Sequence, residues 1–317
     1  MQEKFIDRKF SEKSLKLITQ ANAIVGEYME QDFMLTLRQL YYQMVARDII
    51  ENTVNSYKRL GTVVTDARLA GLIDWGALED RTRNLKGLRH YDGPEDAIES
   101  VTQNYAIDKW EGQGHRPELW VEKEALAGVI ERAAVDNDLG YLSCRGYMSA
   151  SEMYEAAQRI FRRRKFRHQE TVIIYLGDHD PSGFDMSEND LPGRFTTFFD
   201  KWRRDSGLNI RPPEIRRVAL NFDQIDLYNP PPNPAKETDS RFASYQEQFG
   251  DESWELDALP PTTLLEIIQE TVDEFKDSDL YIVKEVQERA DRDMLQNISS
   301  NYETVAEFLK ERDEDED

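Results

Sequence analysis

Two aspartates one residue apart close the segment Thr171-Val-Ile-Ile-Tyr-Leu-Gly-Asp178-His-Asp180-Pro-Ser-Gly183. The β-branched and apolar run before them reads as a buried strand, and the Pro and Gly after them stop it. Side chains two apart on an extended chain point the same way. Asp178 and Asp180 are therefore expected to aim at one point, with His179 facing the opposite side as a structural residue. Two converging carboxylates repel each other unless a cation sits between them, and hard oxygen ligands of short reach suit Mg²⁺ or Mn²⁺. The plainer alternative is a solvated, Asp-rich turn with a helix cap.

A second chemical pair precedes it. Thr36-Leu-Arg-Gln39 fits a capping box. The helix it opens carries Leu37, Leu40, Tyr41, Met44 and Val45 on one stripe. Tyr41 belongs to that stripe and is assigned to packing. Tyr42 lies beside it, four residues after Arg38, so the phenol and the guanidinium share a flank open to a phosphate. A third candidate, Glu122, ends the short strand Glu118-Leu-Trp-Val-Glu122.

The elements that must position these groups follow from periodicity. Helices are expected over 11–30, with Leu15, Ile18, Ala21 and Val25 one turn apart, and over 53–70. A turn with a short apolar strand or wing is expected at 71–76. Three short helices, the last carrying Lys58, Arg59 and Arg68, suggest a winged-helix (CAP-like) module or another small helical domain. Arg81, Arg83, Lys86, Arg89 and His90 form a further basic patch, and 92–116 reads as a linker with a short helix. Beyond it, strands at 118–122, 141–144, near 171–177 and 217–220 alternate with helices at 124–134, 149–164 and up to 204. That order implies a parallel sheet. Glu122 and the aspartates would then lie at its carboxyl edge, where ligands gather in open α/β sheets. Residues 221–261, with Asn229-Pro-Pro-Pro-Asn-Pro234, read as an irregular connection. Helices at 262–277 and 279–311 follow, the last with a stripe of Leu280, Val283, Val286, Ala290, Met294 and Ile298 suited to a core or dimer face.

Composition narrows the partners. The net charge of −22 is unevenly spread, since residues 221–317 carry 27 Asp+Glu against 8 Lys+Arg. The rest of the chain is close to neutral and can meet nucleic acid. The acidic tail Glu311-Arg-Asp-Glu-Asp-Glu-Asp317 is expected to be solvated. Acid-rich, lysine-poor usage is also what proteins of high-salt cytoplasms carry. The single cysteine excludes an internal disulfide framework and a Cys-rich zinc site. No 18-residue apolar run and no signal-peptide core is present. Together these imply a reducing, cytoplasmic setting, a virus-infected host's included, and no membrane. No phosphate-binding Gly-Lys-Ser/Thr loop and no His-Glu-x-x-His pair occurs.

Arg38-Gln-Leu-Tyr41-Tyr42, Val121-Glu122-Lys123, Arg145-Gly146-Tyr147 and Asp178-His-Asp180-Pro-Ser-Gly183, in this order, resemble the A subunit of topoisomerase VI and the related meiotic double-strand-break protein. The resemblance covers most of 30–190 and weakens beyond about 220. The short chain looks closer to the free-standing mini-A homologues of viruses, plasmids and bacteria. The implied fold is α/β plus α: a winged-helix domain over 1–112 bearing the nucleophilic tyrosine, then a Toprim domain over 113–317 with C-terminal helices and an acidic tail. The implied activity is a DNA-cleaving transesterase of the type IIB kind. Tyr42 is the nucleophile, Arg38 its phosphate partner, and Glu122, Asp178 and Asp180 the Mg²⁺ (or Mn²⁺) ligands. The implied partners are double-stranded DNA, whose backbone Lys58, Arg59 and Arg68 would contact, and a second copy in a homodimer whose Tyr42 serves the other protomer's metal site; whether a separate GHKL-type ATPase B subunit joins them is left open by the short chain. Two rivals remain: a Toprim nuclease that uses metal-activated water, and a non-catalytic DNA-binding protein.

Overall fold

The computed structural model describes residues 3–31, 33–78 and 88–315, with no side-chain account of 309–315. Arg81, Arg83 and Lys86 of the expected basic patch, and Glu316 and Asp317 of the tail, lie outside these. The chain is a mixed α/β protein with a four-stranded parallel sheet. It forms two compact units. One comprises Met1–Arg83 with His115–Phe275, and the other Asn84–Gly114 with Lys276–Asp317.

The first unit opens with α1 (Glu12–Met29), α2 (Leu37–Ala46) and α3 (Val54–Leu69). Each is capped as its sequence dictates: Ser11, Thr36 and Thr53 hydroxyls accept from the third residue on, and Gln39 completes the Thr36 box. α1 buries Ile18, Ala21 and Val25 of the expected stripe together with Leu17, Ile24 and Tyr28, and leaves Leu15 exposed. α2 is buried on nearly every side. Leu40, Tyr41, Met44 and Val45 enter the helical core, while Gln43 Nε2 donates to the Ala258 carbonyl at 3.4 Å on the other flank. Residues 71–78 hold a 3₁₀ turn at Trp75–Ala77 and an isolated bridge from Leu78 to Leu35 rather than a strand pair.

The sheet is built from β1 (His115–Val121), β2 (Gly140–Ser143), β3 (Glu170–Leu176) and β4 (Glu214–Ala219), in the order β2-β1-β3-β4. A helix of the second unit, α4 (Pro94–Asn104), precedes β1 in the chain, and the sheet's crossovers include α5 (Ala127–Asp136) and α6 (Ala150–Arg167). After β3 come α7 (Pro181–Asp185), a π-turn at Met186–Asp190 and α8 (Leu191–Ser206). One face of the sheet, with Trp120, Ile173 and Tyr175, packs on Met153, Ile160, Phe195 and Phe199 of α6 and α8. α5 and the later α11 (Pro261–Phe275) pack against β1 and each other.

The stretch expected to be irregular is ordered more than its prolines suggest. It contains α9 (Phe222–Tyr228), α10 (Phe242–Phe249) and a two-residue antiparallel pair, β5 (Asn233–Pro234) with β6 (Glu252–Ser253). Its end is hydrogen-bonded to the segment that follows β3: His179 and Trp254 exchange backbone N–H···O bonds, both 2.9 Å. Burial, first, then Arg217 push the His179 imidazole down to about 4. Its Nδ1 lies 2.6 Å from the Tyr245 hydroxyl within a shell of Phe184, Phe222, Phe249 and Trp254 rings. It is a core residue.

The second unit pairs α4 with α12 (Ser278–Ser300), which is followed after a break at Asn301 by α13 (Tyr302–Asp315). The helix expected to run unbroken from 279 to 311 is thus two helices. α12 buries Tyr281, Glu288 and Ser299. Glu288 accepts from the Ile107 N–H at 3.1 Å and pairs with Lys109 and Arg292, and Tyr105 donates to Asp291 at 3.0 Å. The apolar stripe is on the outside: Leu280, Val283, Val286 and Met294 are exposed. The helix's buried face is set by polar anchoring to 105–109, a long-range pairing that periodicity does not report.

Candidate functional site

Four segments converge at the carboxyl edge of the sheet. Glu122 follows β1, Asp178 follows β3, Glu255 and Asp257 sit in the segment that joins β6 to α11, and α2 supplies Arg38 and Tyr42. Glu122 and Lys123 are adjacent on extended backbone, so they leave on opposite sides.

On Glu122's side, its Oε2 accepts the Asp178 N–H at 3.0 Å. Burial, first, and then the Asp180 charge raise its pKa above the usual glutamate range. Asp180 is not among the carboxylates gathered with Asp178. Its Oδ1 accepts from Gly183 N at 2.6 Å and Ser182 Oγ at 3.0 Å, capping α7. The free N–H groups of a helix start capture a carboxylate placed one residue before it. Gly183 is required here: a Cβ at that position would run into the Asp178 carbonyl and lie 2.9 Å from Glu122 Oε2.

On Lys123's side lies a denser cluster. Asp178 Oδ1 accepts from Leu256 N at 2.8 Å, and its Oδ2 is 2.7 Å from Lys123 Nζ. The same ammonium lies 3.0 Å from Asp257 Oδ1 and contacts Glu255 Oε2. Arg38 closes the far side, with Nη2 2.8 Å from Glu255 Oε2 and Nε 2.7 Å from Asp257 Oδ2. That last contact is an ion pair without hydrogen-bond alignment, so the fully buried Asp257 Oδ2 accepts no hydrogen bond. One oxygen from each of Asp178, Glu255 and Asp257 falls within 4.8 Å of the others. This buried acidic triad could hold a metal ion; the expected trio of Glu122, Asp178 and Asp180 is not gathered in this way among the described residues. Burial, and then Glu122, Glu255 and Asp257 acting against Lys123, raise the Asp178 pKa well above an ordinary aspartate's. Burial disfavours the Lys123 charge, but the carboxylates outweigh it and hold the ammonium protonated.

Arg217, on β4, locks the loop between these groups. Its guanidinium donates to the carbonyls of Gly177, Asp178, Gly183 and Leu220.

The two tyrosines differ in their hydroxyls. Tyr41 Oη donates to Asn52 Oδ1 at 2.9 Å, with Thr53 O at 3.2 Å, and its ring meets Tyr57 edge-on. The Tyr42 hydroxyl has no hydrogen-bond partner among the described residues. Its ring lies under Arg38, 5.7 Å from the guanidinium carbon. Both rings are buried, and Glu255 and Asp257 pair with Arg38 on the flank that it shares with Tyr42. Burial, then Glu255 and Asp257, raise the Tyr42 pKa further above that of free tyrosine. A cleft of about 310 Å³ beside it is lined by Arg38, Tyr41, Tyr42, Tyr57, Asn233 and Glu255, among others.

Of the three basic residues expected to meet DNA, Lys58 and Arg59 are exposed on α3. Arg68 is turned inward, donating to the carbonyls of Trp75 at 2.6 Å and Leu78 at 2.5 Å and stacking on Trp75. Arg59 instead faces Lys13 and Lys16 of α1 across a cleft of about 380 Å³.

Sequence reasoning missed Lys123, Glu255, Asp257 and Arg217. A signal for two of them was present: Trp254-Glu255-Leu-Asp257 repeats the acid-x-acid spacing of Asp178-x-Asp180. No protein-family model matches the chain, and no curated protein matches it.

Proposed function

We propose that this chain is a DNA-cleaving transesterase of the type IIB topoisomerase A-subunit kind, with a winged-helix-like N-terminal region and a Toprim-like sheet. The observation that carries the reading is Tyr42: a phenol with no internal hydrogen bond, stacked under an arginine, within the same compact unit as a buried acid cluster at a parallel sheet's carboxyl edge. Tyr42 Oη attacks a backbone phosphorus, a Tyr–O–P bond forms to the 5′ end, and the P–O3′ bond breaks. The tyrosine loses its proton and the departing 3′ oxygen gains one, so the ester count is conserved and the break can be re-sealed. Arg38 offers a planar pair of donors to the phosphate. Asp178, Glu255, Asp257 and the neighbouring Glu122 are hard-oxygen donors suited to Mg²⁺ or Mn²⁺, which when bound supplies Lewis acidity toward the phosphate. Lys58 and Arg59 hold double-stranded DNA through its backbone, with salt-sensitive affinity and little sequence information. A homodimer with two such sites cuts both strands, and a GHKL-type ATPase would be a separate subunit.

One gel tests this: labelled DNA, Mn²⁺ or Mg²⁺, and a denaturing stop with and without protease. A protease-sensitive shift is expected from wild type and Tyr41→Phe and not from Tyr42→Phe. A second reading, a metal-dependent nuclease using water, is favoured by the internal ion pairs of Arg38 with Glu255 and Asp257, which occupy the phosphate partner. Breaks that persist in Tyr42→Phe without any adduct select it.

A further inference from the structure

We infer that Lys123 is the resident counter-ion of the Asp178–Glu255–Asp257 triad, and that a divalent cation and the Lys123 ammonium occupy this place in alternation. The inference deepens the reading above and rests on the same acid cluster. An ammonium has three N–H donors. Here it meets three carboxylates, one each: Asp178 at 2.7 Å, Asp257 at 3.0 Å, and Glu255 in contact. These are the residues whose oxygens lie within 4.8 Å of one another. A cation bound by those oxygens and an ammonium held by them need the same space. Two cations inside one buried cage would repel each other strongly in a medium of low dielectric.

The charge balance gives the exchange its direction. The three carboxylates form ion pairs with Lys123 and Arg38, and Glu122 stands just beyond them. The Arg217 guanidinium donates to backbone carbonyls nearby, and its charge acts on Glu122 and Asp178 without a direct ion pair to them among the described residues. Counted by its ion pairs, the triad is one positive charge short with Lys123 in place. A divalent ion in exchange for the ammonium removes that deficit, and the long, flexible lysine stem lets the ammonium leave without moving the backbone. A fixed structural ion pair needs no such surplus of acid. Asp257 Oδ2, buried and 2.7 Å from Arg38 Nε in an ion pair, accepts no hydrogen bond.

Two measurements on the full chain decide it. In the first, Mn²⁺ binding is read by paramagnetic resonance of the free ion for wild type, Lys123→Met and Asp257→Asn. Lys123→Met is expected to bind at least tenfold tighter than wild type, and Asp257→Asn at least tenfold weaker. Equal or weaker binding by a folded Lys123→Met overturns the inference. In the second, which needs no variant, wild-type protein is treated with an amine-acetylating reagent and Lys123 labelling is read by mass spectrometry. Addition of Mn²⁺ is expected to raise Lys123 labelling severalfold while exposed lysines such as Lys58 stay unchanged. Unchanged or lower labelling at saturating Mn²⁺ overturns it, whether or not the Met variant folds. An adduct at Tyr42 with no rise in Lys123 labelling sinks the exchange alone. A rise in labelling without any adduct sinks the transesterase alone.

Discussion

Glu118 and Glu122 stand four residues apart on and just beyond one strand, both nearly buried, and the fold treats them in opposite ways. Glu118 lies under α6. Arg159 and Arg163 each reach it at 2.7 Å, and Trp120 Nε1 donates to it at 3.2 Å. Burial opposes its charge, yet the two guanidiniums win and hold its pKa below the usual range. Glu122 has one backbone N–H, a neighbouring aspartate and no ion-pair partner of its own among the described residues, and its pKa moves the other way. The same residue type on the same strand is matched by cations at one edge of the sheet and left in acid surplus at the other. A buried carboxylate with its cations supplied is architecture. One left short of cations is a place for something that arrives later.

The largest effect is expected from Glu118→Gln. Breaking this pair strands two arginines and should cost about 3 kcal/mol of unfolding free energy at neutral pH, the low end for a buried pair because Arg159 is half exposed. Urea denaturation measures it, and Mn²⁺ affinity should be unchanged. A cost under about 1 kcal/mol would erase the contrast between the two edges.

Gly183→Ala comes next. The added methyl meets the Asp178 carbonyl and approaches Glu122 Oε2. About 1–3 kcal/mol of destabilisation is expected from this overpacking. Because it shifts the acid-bearing loop, Mn²⁺ binding should fall with it. Normal metal binding in a destabilised variant would show that the loop's position does not matter.

Glu122→Gln should change stability least, and at pH 7 in the stabilising direction, since the folded state holds the Glu122 proton more tightly than the unfolded chain does. The pH dependence sharpens the comparison. A raised carboxylate pKa means the folded state holds its proton more tightly, so wild type loses stability as pH rises from the unfolded value through the raised one. Glu122→Gln should therefore gain on wild type as pH climbs above the unfolded glutamate value of about 4.3. Glu118, with its lowered pKa, stabilises above the unfolded value and stops doing so as pH falls through the folded one. The deficit of Glu118→Gln should therefore shrink on acidification. Parallel pH profiles for the two Gln variants would contradict the assignment.

Local signals in the chain are legible and distant ones are not. The Thr36 capping box, the parallel order implied by alternating strands and helices, and the burial of Tyr41 each depend on neighbours within a turn or a strand. Strand alternation places Asp180 at this edge, where it keeps extended backbone and its carboxylate caps the helix that follows. Glu255 and Asp257 escape because Asn229-Pro-Pro-Pro-Asn-Pro234 suggests an irregular connection, whereas the pairing that brings them home links Trp254 to His179, far back in the chain. The buried face of α12 is hidden for the same reason: its partners, Tyr105 and Ile107, precede the whole sheet.

That separation sets an order of assembly during translation. Every residue of the larger unit has been synthesised once Phe275 is made, whereas the smaller one is split between Asn84–Gly114 and Lys276–Asp317. As the nascent chain leaves the ribosome, α4 emerges before the sheet and must wait, unpartnered, until α12 follows it out. The sheet with its acid cluster can close first, and the smaller unit forms after it.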